Sequence, residues 1–538
     1  MKHWLLVPVF VFAGFLGFAQ NDVEAPVNPE FLKWQIINQT GEASGEIPFY
    51  VLPHFQTRHN TTNYRFDPVY DMRQTAFLTD VKNQGSCGAC WTFASIGSIE
   101  SYLLKNGYGT FDLSEQNVRT CHGFTLNADL TCRGGNAKKA AAYCLRMSGP
   151  VEEVADPYND DMYEVCNEGI TPILRLDQFR VFPDDQSVVK QAILDYGALY
   201  TSMYWDVANY NSGDYTYYYN GVESSSHAIL IVGWVDTKVT AGGTGAWIIK
   251  NSWGTSWGES GYFYLSYEDA VVLLTSSAFP GFSEIVAGDT LFMYDELGWI
   301  SSTGYSSETA YALIKFVTGE AKKITDIGTY INTEGATVNI EVYDTKSGNT
   351  LSGLLASAGP FTCDYPGYHK FAVTPFNLGS SDDFYIKMTY NTPGYNYPIP
   401  FEKFSTDYSD PFIESGVCWM SSSGTSWTAV GSDVTGKERD WTIRAYGEAI
   451  STTDEAFLAE KASVSANFDN NGMLNLRISG FESLVQVELL DIAGRVVFSE
   501  QLTTSSENVE LSVPELPSGV YSLNVSDSKV KQTTKLFR

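Results

Sequence analysis

The run QGSCGACWTFA at residues 84–94 holds two cysteines three apart, Cys87 and Cys90, between a glutamine (Gln84) and a tryptophan (Trp91). Three chemistries use such cysteines: two thiolates can ligate a metal, a thiol can enter a disulfide, or one sulfur can attack a carbonyl. A metal site of this kind needs a second Cys/His pair at ligand spacing, and none lies close by. A nucleophile needs a base, most often histidine. Of the six histidines, His3 falls in the apolar N-terminal run, His54 and His59 in a polar stretch behind it, and His369 far downstream. His122 sits beside Cys121 in the loop-like CHGFTLNADLTC, and His227 opens the apolar run HAILIVGW, whose backbone would hold it rigidly. A strand-edge histidine is, taken alone, more often a structural residue than a base. The second element, KNSWGTSWGESGYFYL, shifts that balance by setting Asn251 before Trp253 directly after another buried run. A redox Cys-x-x-Cys would leave both His227 and Asn251 without a purpose.

These residues must be positioned by regular elements. Residues 91–105 and 186–196 carry helical periodicity, while HAILIVGW and GAWIIKNSW read as buried strands, which together predict an α+β region. Beyond Pro280 the helical signals nearly vanish. ITDIGTYI, TVNIEVYDT, DFYIKMTY and WTIRAYGEA alternate over short lengths and predict a β-sandwich. A Ser/Thr/Asp stretch at 450–456 reads as a linker, and LNLRIS, VQVELLD and GVYSLNVS then repeat the strand-and-turn pattern. The N-terminus has Lys2, an apolar run and small residues at Gly17 and Ala19, which reads as a secretory signal cleaved after Ala19. The apolar run is shorter than the roughly 20 residues of a membrane span. The expected division is a signal at 1–19, a lead-in at 20–66, an α+β domain at 67–282, and β-sandwiches at 286–450 and 455–538.

Composition bounds the partners. Hydrophobic residues are 43% and aromatics 14% of 538 residues, enough for packed cores. The 34 basic residues against 63 acidic give −29, which speaks against nucleic acid or an anionic membrane and for solubility outside the cell. Export also permits disulfides.

Five stretches of the α+β region resemble the papain/cathepsin cysteine peptidases: QGSCGACWTFA, LSEQNV at 113–118, CRGGN at 132–136, SHAILIVGW at 226–234 and WIIKNSWGTSWGESGY at 247–262. His227 lies within the roughly 130–150 residues downstream of the cysteine that this family shows, and Asn251 a little beyond. The resemblance implies that Cys90 is the nucleophile at the start of a helix, where the helix dipole and an imidazolium favour the thiolate. It implies that His227 is the acid/base, that Asn251 orients the imidazole, and that Gln84 with the Cys90 N–H forms the oxyanion hole. Trp253 would cover the His–Asn pair, and Gly134 and Gly135 would let a substrate backbone approach as an added strand. It also pairs Cys87 with Cys132 and Cys121 with Cys166. Cys144 reads as a buried helical thiol, and Cys363 with Cys418 is the one candidate pair in the first β-sandwich. No later disulfide closes the end of the α+β region, which leaves the substrate-pocket floor near Ser276 undefined.

The lead-in, with APVNPEFLKW and GEIPFYVLP, is similar to the short lead-ins of bacterial and archaeal relatives, and an inhibitory segment and a packed structural arm both fit it. YDELGWISSTGYSSETAYALIKF resembles the lectin-like domain that follows such bacterial peptidases. VQVELLDIAGRVV, ELPSGVYSLNVS and the terminal TTKLFR resemble the C-terminal sorting domain of the type IX secretion system of Bacteroidota, with turn glycines Gly494 and Gly519 between strands. The expected fold is an α+β papain-like peptidase domain followed by two all-β sandwich domains. The expected function is a secreted or surface-attached cysteine peptidase with no metal or cofactor, acting on proteins or peptides. An endopeptidase is favoured because no insertion is placed to block one end of the cleft. Surface glycans and the type IX machinery are the other expected partners. The competing reading is a catalytically silent adhesion protein on the same fold, which the complete Cys/His/Asn/Gln set opposes.

Overall fold

The computed structural model describes residues 22–39, 45–56, 64–124, 131–450 and 463–538, the last apart from 470–471, 480, 482–483, 504–507, 515 and 528–530. The signal read at 1–19 and nearly all of the linker read at 450–456 lie outside the described residues.

Among the described residues, five helices stand before residue 200: α1 (Pro29–Gln39), α2 (Cys90–Lys105), α3 (Glu115–Cys121), α4 (Ala137–Leu145) and α5 (Gln186–Tyr196). The last three start on side-chain caps, as orphan N–H groups at a helix start require. Ser114, Asn136 and Asp185 accept from the N–H groups of Asn117, Lys139 and Val188. α2 starts at Ala89 with no side-chain cap, so its first N–H groups remain available to whatever lies in front of Cys90. Almost every α2 residue is buried, because the helix runs through the middle of the region and packs against the strands Leu199–Met203 and His227–Thr240. The His227–Thr240 strand pairs antiparallel with Leu199–Met203 on one side and Gly243–Lys250 on the other. That central position explains its unbroken apolar start, which is buried from His227 to Trp234.

The strand Phe179–Val181 pairs with Gly367–Leu378 through Tyr368↔Phe179 and Gly367↔Arg180. This short joint merges the first region's sheet with strands of the next, giving one ladder of 13 strands. Above it lies a six-stranded sheet that contains Ala336–Ser347, Asp383–Asn391 and Thr309–Val317. The two sheets enclose an apolar core with Ile314, Ile327, Val338, Ile386 and Trp441 at its centre. Cys363 and Cys418, the candidate pair, are both free and buried. Three strands separate theirs in the six-stranded sheet, a span on the order of 19 Å at the usual strand spacing, far outside disulfide reach. The C-terminal segment forms a three-stranded and a four-stranded sheet around Leu476, Val487, Leu489, Leu523 and Val525.

The lead-in does not trail from the surface. Val23–Glu24 pairs with Ser301–Gly304, and Asp22 meets Lys437 at 2.7 Å and Arg439 at 3.2 Å. Phe31 and Trp34 of α1 pack on Phe124 from the first region and on Leu297, Ile300 and Tyr408 from the second.

Where the two regions meet, Arg444 Nε and Nη2 donate to the Asp295 carboxylate at 2.9–3.1 Å, and both residues are fully buried. Removing one partner of a buried pair strands the other charge, which costs about 3–5 kcal/mol. Asp295→Ala is therefore expected to lower the stability of this part of the chain by about that amount, read from its denaturant midpoint. A loss below about 1 kcal/mol would show that water reaches the guanidinium.

Candidate active site

Cys90 is the first residue of α2, and its sulfur accepts from the Ala228 N–H at 3.3 Å. Because Ala228 follows His227, that bond brings the start of the buried strand against the start of the helix. His227 Nε2 meets Asn251 Oδ1 at 2.8 Å. An amide oxygen only accepts, so Nε2 carries the proton and Nδ1 is the imidazole's basic nitrogen. The Asn251 oxygen also accepts from the Ser252 N–H at 2.9 Å, which stops the amide from turning. Trp253 lies over the imidazole with ring centroids 4.6 Å apart and planes 22° apart. Trp205 and Trp257 hold Trp253 edge-on.

Gln84 is fixed from both ends of its amide. Its Nε2 donates to the Cys87 carbonyl at 2.8 Å, and its Oε1 accepts from Ser252 Oγ at 2.6 Å. Gln84, Cys90, His227 and Trp253 thus line one cleft of about 420 Å³. Cys87 is bonded to Cys132, and Cys121 to Cys166. The first bond ties the turn ahead of Cys90 to the CRGGN loop, so neither Cys87 nor Cys132 has a free thiolate for a metal. Cys144 is free and buried in α4. His122 stands apart from the cleft: its Nδ1 accepts from the Phe124 N–H at 3.0 Å, and burial lowers its pKa well below the ordinary value. Ser276 is buried, with its hydroxyl on Thr201 at 3.3 Å.

Gly134 and Gly135 lie just ahead of the α4 cap. A Cβ on Gly135 would meet the Trp91 ring at 2.3 Å, so only glycine lets a neighbouring chain and that ring share the space. The chain that runs there is the molecule's own lead-in. Glu46 pairs with Gly135 in parallel, and the Ile47 N–H donates to the Gly135 carbonyl at 2.7 Å. Asn136 Nδ2 donates to the Ile47 carbonyl at 3.0 Å. One residue earlier, the Gly45 carbonyl accepts from the Cys90 thiol at 3.1 Å. The lead-in therefore crosses directly over the sulfur.

Burial of the pair alters the electrostatics expected from the sequence. It pushes the Cys90 thiol up to about 12 and the His227 imidazole down to about 4, the latter partly offset by the Asn251 bond. The covered pair is a neutral thiol beside a neutral imidazole, and the thiolate expected for a helix N-terminus is not the resting form here. The physical reason is desolvation, which disfavours every charged form and here outweighs the helix start.

Reading the sequence missed five residues of this arrangement. Gly45 and Glu46 come from a segment with no periodicity. Ala228 acts through its backbone, and Ser252 steadies Gln84. Tyr200, from the Leu199–Met203 strand, donates its hydroxyl to Glu46. No local pattern pointed to Tyr200, whose partner lies 154 residues away in the sequence.

Residues 67–279 match the family model described as papain family cysteine protease, residues 291–447 the lectin-like domain, and residues 470–537 the secretion system C-terminal sorting domain. Cysteine proteinase 1 of Dictyostelium discoideum is 30% identical over 211 residues, 36% of this chain and 60% of that protein. Cathepsin K of Mus musculus is 31% identical over 216 residues, 39% of this chain and 63% of its own length. The chain thus spans less than two thirds of these curated relatives. The solved cysteine protease and lectin-like domains of Cwp84, a surface layer associated protein of Clostridium difficile, superpose with a TM-score of 0.69 at 21% identity. That superposition covers 80% of this chain and 98% of the other, and it establishes a shared fold: a papain-like α+β region followed by a lectin-like all-β region.

Only a thiolate is alkylated, and a thiol raised from 9.0 to about 12 holds on the order of a thousandfold less of it at neutral pH. Iodoacetamide should therefore label Cys90 slowly in the full chain, with a rate still climbing above pH 9. A Cβ on Gly45 would meet the Cys90 sulfur at 2.7 Å, so Gly45→Leu should lift the lead-in and speed labelling at pH 7 by at least tenfold. A wild-type chain labelled as fast as a free thiol would contradict the covered state.

Proposed function

We propose that this chain, whose residues 67–279 match the papain family, is an exported cysteine peptidase held shut by its own lead-in. The observation that carries the reading is the convergence of Cys90, His227 and Asn251, a nucleophile, a base and its orienting amide drawn from three separate elements. With the lead-in displaced and the cleft wet, His227 Nδ1 takes the Cys90 proton. The sulfur then attacks the substrate carbonyl, forming a C–S bond while the carbonyl π electrons move onto oxygen. The second N–H of the Gln84 side-chain amide and the Cys90 N–H hold that oxyanion, a contribution of roughly 3 kcal/mol per donor in other acyl-transfer sites. Collapse breaks the C–N bond, with the imidazolium giving its proton to the leaving amine. Water then attacks the thioester with His227 as base, releasing the acid and regenerating the thiol.

The substrates are proteins or peptides, cut internally. The lead-in acts as an inhibitory segment because it occupies the ladder position on Gly135 and blocks the sulfur. Its grip does not come from the peptidase region alone. Asp22 and Glu24 pair with Lys403, Lys437 and Arg439 of the lectin-like region. The C-terminal match supports export by a secretion system that reads this tail, with the protein ending outside the cell or on its surface. Glycans are a candidate ligand of the lectin-like region through its family likeness.

Cys90→Ala should abolish peptide hydrolysis while the melting temperature stays within a few degrees of wild type. Residual activity above about a thousandth would remove Cys90 as the nucleophile. A second expectation concerns the anchor: Arg439→Ala combined with Lys437→Ala should release Asp22 and speed Cys90 alkylation several-fold. An unchanged alkylation rate would mean that the peptidase region holds the lead-in unaided.

A further inference from the structure

Glu46 carries its carboxyl into an apolar setting that an inhibitory strand has no need to fill with a polar group. The side chain is fully buried and accepts from the Tyr200 hydroxyl. Tyr200 belongs to the apolar core that also holds Trp91 and Ala94 of α2, Ala137 of α4 and Ala228 of the His227 strand. Tyr200 is itself fully buried, and desolvation holds its pKa well above the ordinary value, so the hydroxyl is a donor at every working pH. The slot lies one residue along the lead-in from Gly45, the residue seated on the Cys90 sulfur.

We propose that this slot is the selective side-chain pocket of the open cleft, and that Tyr200 is its specificity-determining residue, favouring substrates with a glutamine-length side chain ending in a hydrogen-bond acceptor. The inference rests on the peptidase reading above and specifies its substrate class. When the lead-in leaves, the Tyr200 hydroxyl faces an apolar pocket. A substrate that brings an apolar side chain leaves that donor unpaired, whereas an amide or acid carbonyl satisfies it. A site built to hydrogen-bond its substrate discriminates against isosteres lacking the acceptor far better than an apolar pocket discriminates by size. Because burial raises the Glu46 carboxyl well above its usual range, the slot suits a neutral acceptor, so glutamine should be taken at least as well as glutamate.

Two arms test this, both on the full chain. In the Gly45→Leu background, where the cleft is open, peptides differing only in glutamine or methionine at the position next to the scissile residue are compared. Glutamine should be favoured roughly tenfold in kcat/KM, and adding Tyr200→Phe should bring the ratio to within about twofold. Equal rates for the two peptides, or a preference that survives Tyr200→Phe, overturn the inference. The second arm needs no catalysis: Cys90 alkylation is followed in chains with Glu46→Gln or Glu46→Met and Gly45 intact. Glu46→Met should label roughly tenfold faster than Glu46→Gln, with the difference erased by Tyr200→Phe. Equal labelling overturns the slot whatever the cleavage arm gives. A labelling difference with no peptide cut supports the slot's preference and overturns the peptidase reading instead.

Discussion

The contact between the Gly45 carbonyl and the Cys90 thiol is the constraint on which the rest of the arrangement turns. A cysteine at an uncapped helix start, beside a histidine, is disposed to ionise. Laying a backbone carbonyl on the sulfur and sealing out water removes that disposition, because both charged forms lose their hydration together. The cover must come close, and only a residue without a side chain can do so, which places Gly45 there. It must also be held, and the flanking residues supply the grip: Glu46 and Ile47 on Gly135, and Asn136 on the Ile47 carbonyl.

The grip extends well beyond the cleft. α1 sits between Phe124 of the first region and Tyr408 of the second, and the N-terminal acidic residues reach the lectin-like strands. The joint at Phe179–Val181 and Gly367–Leu378 makes one ladder of the two regions' strands. The lead-in is therefore held by contacts with both regions. We read the second region as part of the latch as well as any binding surface it offers.

How much of this was legible in the sequence follows from which residues the chemistry constrains locally. Cys90, His227, Asn251 and Gln84 sit in short runs whose residue types and order are narrowly set, and helices α2 and α5 announced themselves by periodicity. The lead-in did not. Its contacts pair residues hundreds of positions apart, such as Asp22 with Arg439, and no local pattern encodes them. α1 buries only Phe31, Trp34 and Asn38, too narrow a stripe to stand out from a polar run. Cys363 and Cys418 were the converse case: two cysteines in one sandwich invited a bond that the strand order forbids.

The thiol's reactivity illustrates why residue types alone underdetermine a site. The same Cys90 and His227 that are neutral in this buried arrangement would, on the proposed reading, form an ion pair once water and substrate dipoles replace the lead-in, with no change in covalent structure. What differs is hydration, set by a segment that contributes no catalytic group. Glu46 then has two consequences from one placement. Its bond to the Tyr200 hydroxyl steadies the cover, and at the high pH where the covered thiol ionises its charged form raises the Cys90 thiol further. On the proposed reading, losing the segment would relieve the desolvation and withdraw a neighbouring acid in a single step, so that uncovering the sulfur and activating it become the same event.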